Sequence, residues 1–355
     1  MRRGLMEWNP QELPLEVLDA RIARLRVRMK SAGLDAFIIY TNLVRPSAVT
    51  WLTGFTPYWS EGLLLVPMTG RLSFATALSN RVADWIRSTN PVSDVISTPR
   101  PGALLGERLA KDDSVKRVGI LELDALPAEL SDDLGAAAPT IRWVDGSAQF
   151  AMVRRDVDPA EQQILMRSDA IAVGALDQGN TATTSDAGTL AGLIEKHARL
   201  AGAEEAYIAV APNLATDRRL TRVSKPIQLA DRFAVRASIA YKGAWLRRAR
   251  TFARDHKIAR ADAWFEGVIR RGIEAGKPIS GQLAAYVETL SDATLEFWMV
   301  ESCVGSYPLS VIASSRMPGR DAPIEDGFFV LTIGLLLRGG HWIGTAPVMV
   351  TDRAS

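Results

Sequence analysis

The chain has 355 residues, 47% of them apolar and 23% charged, with a formal net charge of +2. That length and composition suit two domains with sizeable cores, and the near-neutral balance gives no electrostatic footprint for nucleic acid or an anionic membrane surface. The single cysteine, Cys303, excludes an intrachain disulfide, no apolar run approaches the roughly eighteen residues a spanning helix needs, and the arginines near the N-terminus lead into no apolar signal segment. A cytoplasmic protein is therefore expected.

In chain order, Leu18, Ile22, Leu25 and Met29 recur at helical spacing and predict a helix over 15–33, with Gly33 as its C-cap. The apolar run Ala36–Tyr40 reads as a buried strand. Residues 62–67 and 70–76 read as paired strands turning at Thr69-Gly70, followed by a helix around 81–87 and strands near Val95 and over 118–123. Helices alternating with apolar strands predict an α/β domain over 1–150. Asp158, Pro159 and Glu161 then mark a helix start, as N-cap, first and third helical residues. Further helices are expected at about 188–201, 261–275 and 280–290 among strands and hairpins, making 151–355 an α+β domain.

Within 232–252, Phe233, Val235, Ala237, Ile239 and Tyr241 alternate with Arg232, Ala234, Arg236, Ser238 and Ala240. Lys242-Gly243 is a two-residue turn signal, and 244–252 return as a second strand. That turn sets Tyr241 opposite Ala244 and Ser238 opposite Arg247. Arg236 and Arg247 then become diagonal neighbours on one face, roughly 7–8 Å apart.

This hairpin resembles the creatinase/Xaa-Pro aminopeptidase/prolidase superfamily, whose corresponding strands read D-x-G-x(4)-G-Y-x-x-D-x-x-R-T-F. Gly243 and Arg250-Thr251-Phe252 match that pattern, while Arg236 and Arg247 stand where the family has its two metal-binding aspartates. Other segments resemble the family in the same order. Trp51-Leu52-Thr53-Gly54-Phe55 is similar to a motif of its N-terminal domain, and Ala211-Pro212-Asn213 to its S-G-P-N. Arg219 is then the nearest residue to the histidine that follows. Glu301-Ser302-Cys303-Val304-Gly305 is similar to G-H-G-I-G, which puts Ser302 at a ligand histidine. The strand from Gly327 puts Ile333 at a ligand glutamate, and the last strand puts Thr345 at the final ligand.

The resemblance implies an α/β N-terminal domain followed by an α+β pita-bread domain, and a homodimer. It does not carry the metal chemistry across. Arginine cannot deprotonate to coordinate a cation and isoleucine has no donor atom, so no metal and no cofactor are expected. Creatinase itself works without metal on guanidino-type substrates through a histidine, and that histidine is missing too.

The remaining residues suggest an anion pocket. Arg219, Arg236 and Arg247 would bind a carboxylate or guanidino-type ligand's anionic group, with Ser302, Thr345, Tyr241 and His341 lining the site and Glu301 as a general base. The plainer reading is that the arginines pair with internal carboxylates, that the aromatic side chains are packing and that Cys303 is a small buried residue. His197 and His256 read as helical and solvated positions. Two functions follow: a metal-independent protein that binds, or binds and transforms, a small amino-acid-like or carboxylate-bearing molecule, or a non-catalytic accessory protein using the scaffold as an interaction surface. The sequence carries no dinucleotide fingerprint, P-loop, H-E-x-x-H or paired C-x-x-C.

Overall fold

The computed structural model describes residues 8–56, 61–181, 184–223, 225–253, 258–290, 292–304, 309–316, 321 and 323–352. His256 lies outside them. Two compact units divide the chain, Arg2–Glu161 and Gln162–Ser355.

The first unit contains α1 (Leu15–Ser31), β1 (Ala36–Thr41), α2 (Ser47–Thr53), β2 (Gly62–Pro67), β3 (Leu72–Thr76), α3 (Asn80–Thr89), β4 (Ser93–Ser97), α4 (Pro101–Ala110), β5 (Arg117–Leu121), α5 (Ala128–Ala137), β6 (Arg142–Asp145) and α6 (Ser147–Arg154). The strands form one sheet in the order β4-β3-β2-β1-β5-β6. Its central strand β1 is buried on both sides, which explains an apolar run without polar alternation. Phe37 and Ile39 enter the core shared with α1, α2, α3 and α6, while Ala36 and Ile38 enter the core under α4 and α5.

The expected division at 150 moves to Glu161 for a physical reason. The segment after α6 is tied back to α1 and α2 by buried charge. The Arg21 guanidinium donates to Asp158 at 2.7 and 3.0 Å and to the Trp51 carbonyl at 2.8 Å. Arg154 donates to both oxygens of Glu161 at 2.9 and 2.8 Å, and the Trp51 indole donates to the same carboxylate at 2.9 Å. Asp158 accepts the Glu161 backbone N–H at 2.9 Å, the N-cap geometry its sequence position predicts.

The second unit contains most of α7 (Pro159–Thr181), then α8 (Ala187–Leu200), β7 (Glu205–Ala211), β8 (Arg232–Tyr241), β9 (Ala244–Ala253), α9 (Ala259–Arg271), β10 (Ile273–Glu274), α10 (Ile279–Val287), β11 (Ala293–Ser302), β12 (Val311–Ser314), β13 (Gly327–Leu337) and β14 (Gly340–Thr351). Its sheet runs β12-β11-β13-β14-β9-β8-β7, with β10 alongside β14. Val235, Ala237, Ile239 and Phe252 pack against α7 and α8. Val300, Leu331, Ile333, Ala346 and Val348 pack against α9 and α10. Alternation makes these a single helix-covered face, so the intervening residues project from the other face.

The β8–β9 hairpin has the register its turn predicts: Tyr241 pairs with Ala244, Ser238 with Arg247 and Arg236 with Ala249. Lys242 and Gly243 have φ of 48° and 75°, the conformation of a type I′ turn. Replacing Gly243 by alanine places a Cβ in the left-handed region and should cost about 1–2 kcal/mol. The urea midpoint should fall accordingly; an unchanged midpoint would show that the turn does not need glycine.

Candidate functional site

The face opposite the helices carries a row of polar side chains set by strand register. Arg236 lies opposite Ala249, and Ala249 opposite Thr345. Thr345 lies opposite Thr332, and Thr332 opposite Met299, two residues before Glu301. Ser238 and Arg247 complete the row next to Arg236. Five strands, β8, β9, β11, β13 and β14, thus bring Arg236, Ser238, Arg247, Glu301, Thr332 and Thr345 to one face.

The centre of this row is an ion pair between Arg247 and Glu301, with side chains only 7% and 3% exposed. Arg247 Nε also donates to the Ser238 hydroxyl at 3.2 Å. The Thr332 and Thr345 hydroxyls bond each other at 2.9 Å. Among the described residues, the second carboxylate oxygen of Glu301 is buried without a hydrogen-bond partner. Burial pushes the Glu301 carboxyl above its ordinary value, against the pull of the Arg247 and Arg236 guanidiniums. Beside Arg247, the rings of Trp245 and Tyr207 stack at 5.4 Å with an interplanar angle of 6°.

Several expected site residues are elsewhere. Ser302 turns its hydroxyl to the Val304 backbone N–H, 3.0 Å away, and it is Glu301 that faces Arg247. Ile333 is in the core with α9 and α10, and Thr332 holds the position opposite Thr345. Tyr241 falls on the helix-covered face and packs against the α8 core. Arg219 is exposed and folds back on Asp217, whose carboxyl it holds down at about 2; its neighbour Arg218 reaches the sheet instead and pairs with Glu296. His341 bonds Glu296 through Nδ1 at 2.6 Å, four residues along β14 from Thr345. Cys303 is buried.

Alternation alone could have separated Tyr241 from Arg236 and Ser238, because odd and even positions of one strand face opposite ways. Ser238 and Thr332 had the same signal. Nothing local distinguishes Arg218 from Arg219, since both lie in an irregular segment.

A cavity of about 710 Å³ also occurs in this unit, lined by Phe233, Arg248, Arg250, Asp262 and Trp342 among others. It belongs to the helix-covered face, and its charged groups already pair: Arg248 with Asp169, Arg250 with Asp177, and Asp262 with the Trp342 indole N–H. It is not the arginine row.

Residues 21–155 match the Creatinase/Prolidase N-terminal domain family. The whole chain is similar in structure to an X-Pro aminopeptidase from Thermotoga maritima, with TM-score 0.69, 14% identity and coverage of 94% of this chain and 95% of that one. A Xaa-Pro dipeptidase from Bacillus anthracis aligns with TM-score 0.68 and 18% identity over 94% and 95%. A prolidase from Pyrococcus horikoshii OT3 aligns with TM-score 0.66 and 14% identity over 94% and 96%. No curated protein matches the chain. The chain has the fold of the creatinase/prolidase superfamily.

The arginine row occupies the face where the resemblance in the sequence puts Arg236 and Arg247 at metal-binding positions. The donor set does not suit a metal. Two guanidiniums stand beside one carboxylate and three hydroxyls, and a guanidinium offers no lone pair to a cation. Among the described residues, no group of three or more His, Cys, Asp or Glu side chains is placed to hold a metal ion. No helix of the described residues is long and apolar enough to cross a membrane.

Proposed function

We propose that this chain is a metal-independent, non-peptidase relative of the creatinase/prolidase superfamily that binds a small amino-acid-like or carboxylate-bearing molecule on the Arg236–Arg247–Glu301 face. The observation that carries this reading is the grouping of two guanidiniums on one buried carboxylate. Arg247 bonds Glu301 and Arg236 also acts on it, with Arg236 half-buried and Arg247 buried. Arginine suits this role because its planar fork matches a carboxylate with two parallel hydrogen bonds. Thr332 and Thr345 would supply neutral donors, and the Tyr207–Trp245 stack an apolar wall.

Glu301 is the residue that would exchange a proton with the ligand. One of its oxygens is held by Arg247, the other is open among the described residues, and burial favours its protonated form. The reading includes a cytoplasmic homodimer. A non-catalytic accessory role is the second reading, and the Arg247–Glu301 pair favours it in one respect: each group already answers much of the other's charge.

Acetate, benzoate and guanidinoacetate should each be titrated against thermal unfolding of the full chain. The proposal expects saturable stabilisation by at least one of them, lost in Arg236→Gln. Stabilisation by none of the three, or the same stabilisation in Arg236→Gln, would contradict it.

A further inference from the structure

A second charged cluster lies at the other end of β14. Four residues separate His341 from Thr345, about 13 Å of strand, so the cluster is distinct from the arginine row. Both oxygens of Glu296 are engaged, one by Arg218 and the other by His341 Nδ1 at 2.6 Å. The His341 backbone N–H donates to the Leu214 carbonyl at 2.9 Å, which fixes the residue's place. Arg316 lies over the Phe297 ring at 4.1 Å and Arg218 over the same ring at 5.5 Å. Phe297 in turn lies flat on Gly334, where an added Cβ would come within 2.0 Å of the ring. The ring is therefore a fixed platform for two guanidiniums.

Charge and hydrogen-bond accounting identify what is missing. Glu296 answers one positive charge, that of Arg218. Among the described residues Arg316 makes no ion pair, so a positive charge is left over beside Phe297. Burial and the nearby Arg218 lower the basicity of Arg316, while Glu296 raises it; the two guanidiniums therefore sense each other. An ionised carboxylate only accepts hydrogen bonds, so His341 must donate its Nδ1–H to Glu296. In the neutral ring Nε2 is then a hydrogen-bond acceptor, and no described residue bonds to it. An acceptor next to an excess positive charge suits a ligand with an anionic group and an adjacent O–H or N–H donor.

We propose that Arg218, Arg316 and the Glu296-anchored His341 form a second binding site, for a small carboxylate bearing a hydroxyl or amino group on the neighbouring carbon. The arginines take the carboxylate, and His341 Nε2 accepts from the hydroxyl or amino group. This assignment stands independently of the ligand proposed for the arginine row.

The test is calorimetric titration of the full chain with glycolate, acetate and inorganic phosphate. Glycolate should bind about tenfold more tightly than acetate, the ratio expected for one hydrogen bond to a partly buried acceptor. Arg316→Ala should weaken both about tenfold; Arg316 is exposed and unpaired by any described carboxylate, so this variant should melt like the wild type. His341→Phe should abolish the preference for glycolate while keeping acetate binding. Arg236→Gln, which removes any binding at the arginine row, should leave the preference for glycolate over acetate at this site and its loss in His341→Phe unchanged. The assignment is overturned if glycolate and acetate bind equally or not at all, if phosphate binds more tightly than glycolate, or if Arg316→Ala binds like the wild type. Glycolate binding abolished by Arg236→Gln would belong to the arginine row and would also overturn it.

Discussion

Glu301→Ala should destabilise the protein by about 3–5 kcal/mol, because it leaves the buried Arg247 guanidinium without the acceptor oxygen that bonds it. Arg247 is 5% exposed and has little access to water as a substitute partner. Glu301→Gln should cost far less, under about 1.5 kcal/mol. Glutamine keeps an acceptor oxygen for Arg247, and the carboxyl it replaces is already pushed toward its protonated form by burial. The double variant Arg247→Met/Glu301→Leu should recover most of the loss seen in Glu301→Ala, since a buried ion pair contributes little net stability over an apolar pair of similar volume. Urea denaturation of the set checks this. Equal losses for Ala and Gln would mean that the charge of Glu301, rather than its acceptor oxygen, is what Arg247 requires.

The same residue sets a pH dependence. Its folded value lies above its unfolded one, so the folded state binds the proton more tightly. Its contribution to stability is fully present below the ordinary carboxylate value of about 4.3 and is lost as pH rises through the higher folded value. Between these limits the wild type should lose stability with rising pH relative to Glu301→Gln, which lacks the titrating group. A difference that stays flat across that window would show that the carboxyl is not raised.

Glu161→Ala should be the comparable loss in the first unit, about 3–5 kcal/mol. Its carboxylate receives two hydrogen bonds from Arg154 and one from the Trp51 indole, and both ion-pair side chains are under a tenth exposed. The Arg154 guanidinium also lies 4.6 Å from the Trp51 ring centre, with Arg21 and Arg24 at 5.0 and 5.4 Å. Removing Glu161 leaves three guanidiniums around one ring with Asp158 as the remaining carboxylate. Differential scanning calorimetry should show a lower melting temperature for the variant. A shift no larger than that of Arg71→Ala, whose pair with Asp94 is more than half exposed, would contradict the reading.

The sequence read the fold well where two signals coincided. The β8–β9 hairpin combined strict alternation with a Lys-Gly turn, and its register followed. The Asp158 N-cap combined a capping residue with Pro159 and Glu161. Strand β1 combined apolar content with short length. The site was read less well because motif alignment fixes a strand's position only to within a residue, and one residue reverses every side chain. That is how Ile333 stood in for Thr332, and how Ser302 was put at a ligand position on the face that Glu301 occupies. Tyr241 was placed by closeness in sequence to the turn, although its odd position in β8 puts it with Ile239 in the core. Pairing of Arg247 with Glu301 across 54 residues had no local signal at all.

Arg236 and Arg247 put two guanidiniums on the face where the resemblance in the sequence implies a metal centre, and the groups around them do not suit a cation. The most direct measurement is the metal content of the protein purified without chelator, by elemental analysis for Mn, Co, Fe and Zn, followed by titration with Mn²⁺. The account predicts no stoichiometric metal and no saturable Mn²⁺ binding. One or two tightly held equivalents would contradict it and would require ligands other than Arg236, Arg247, Thr332 and Thr345.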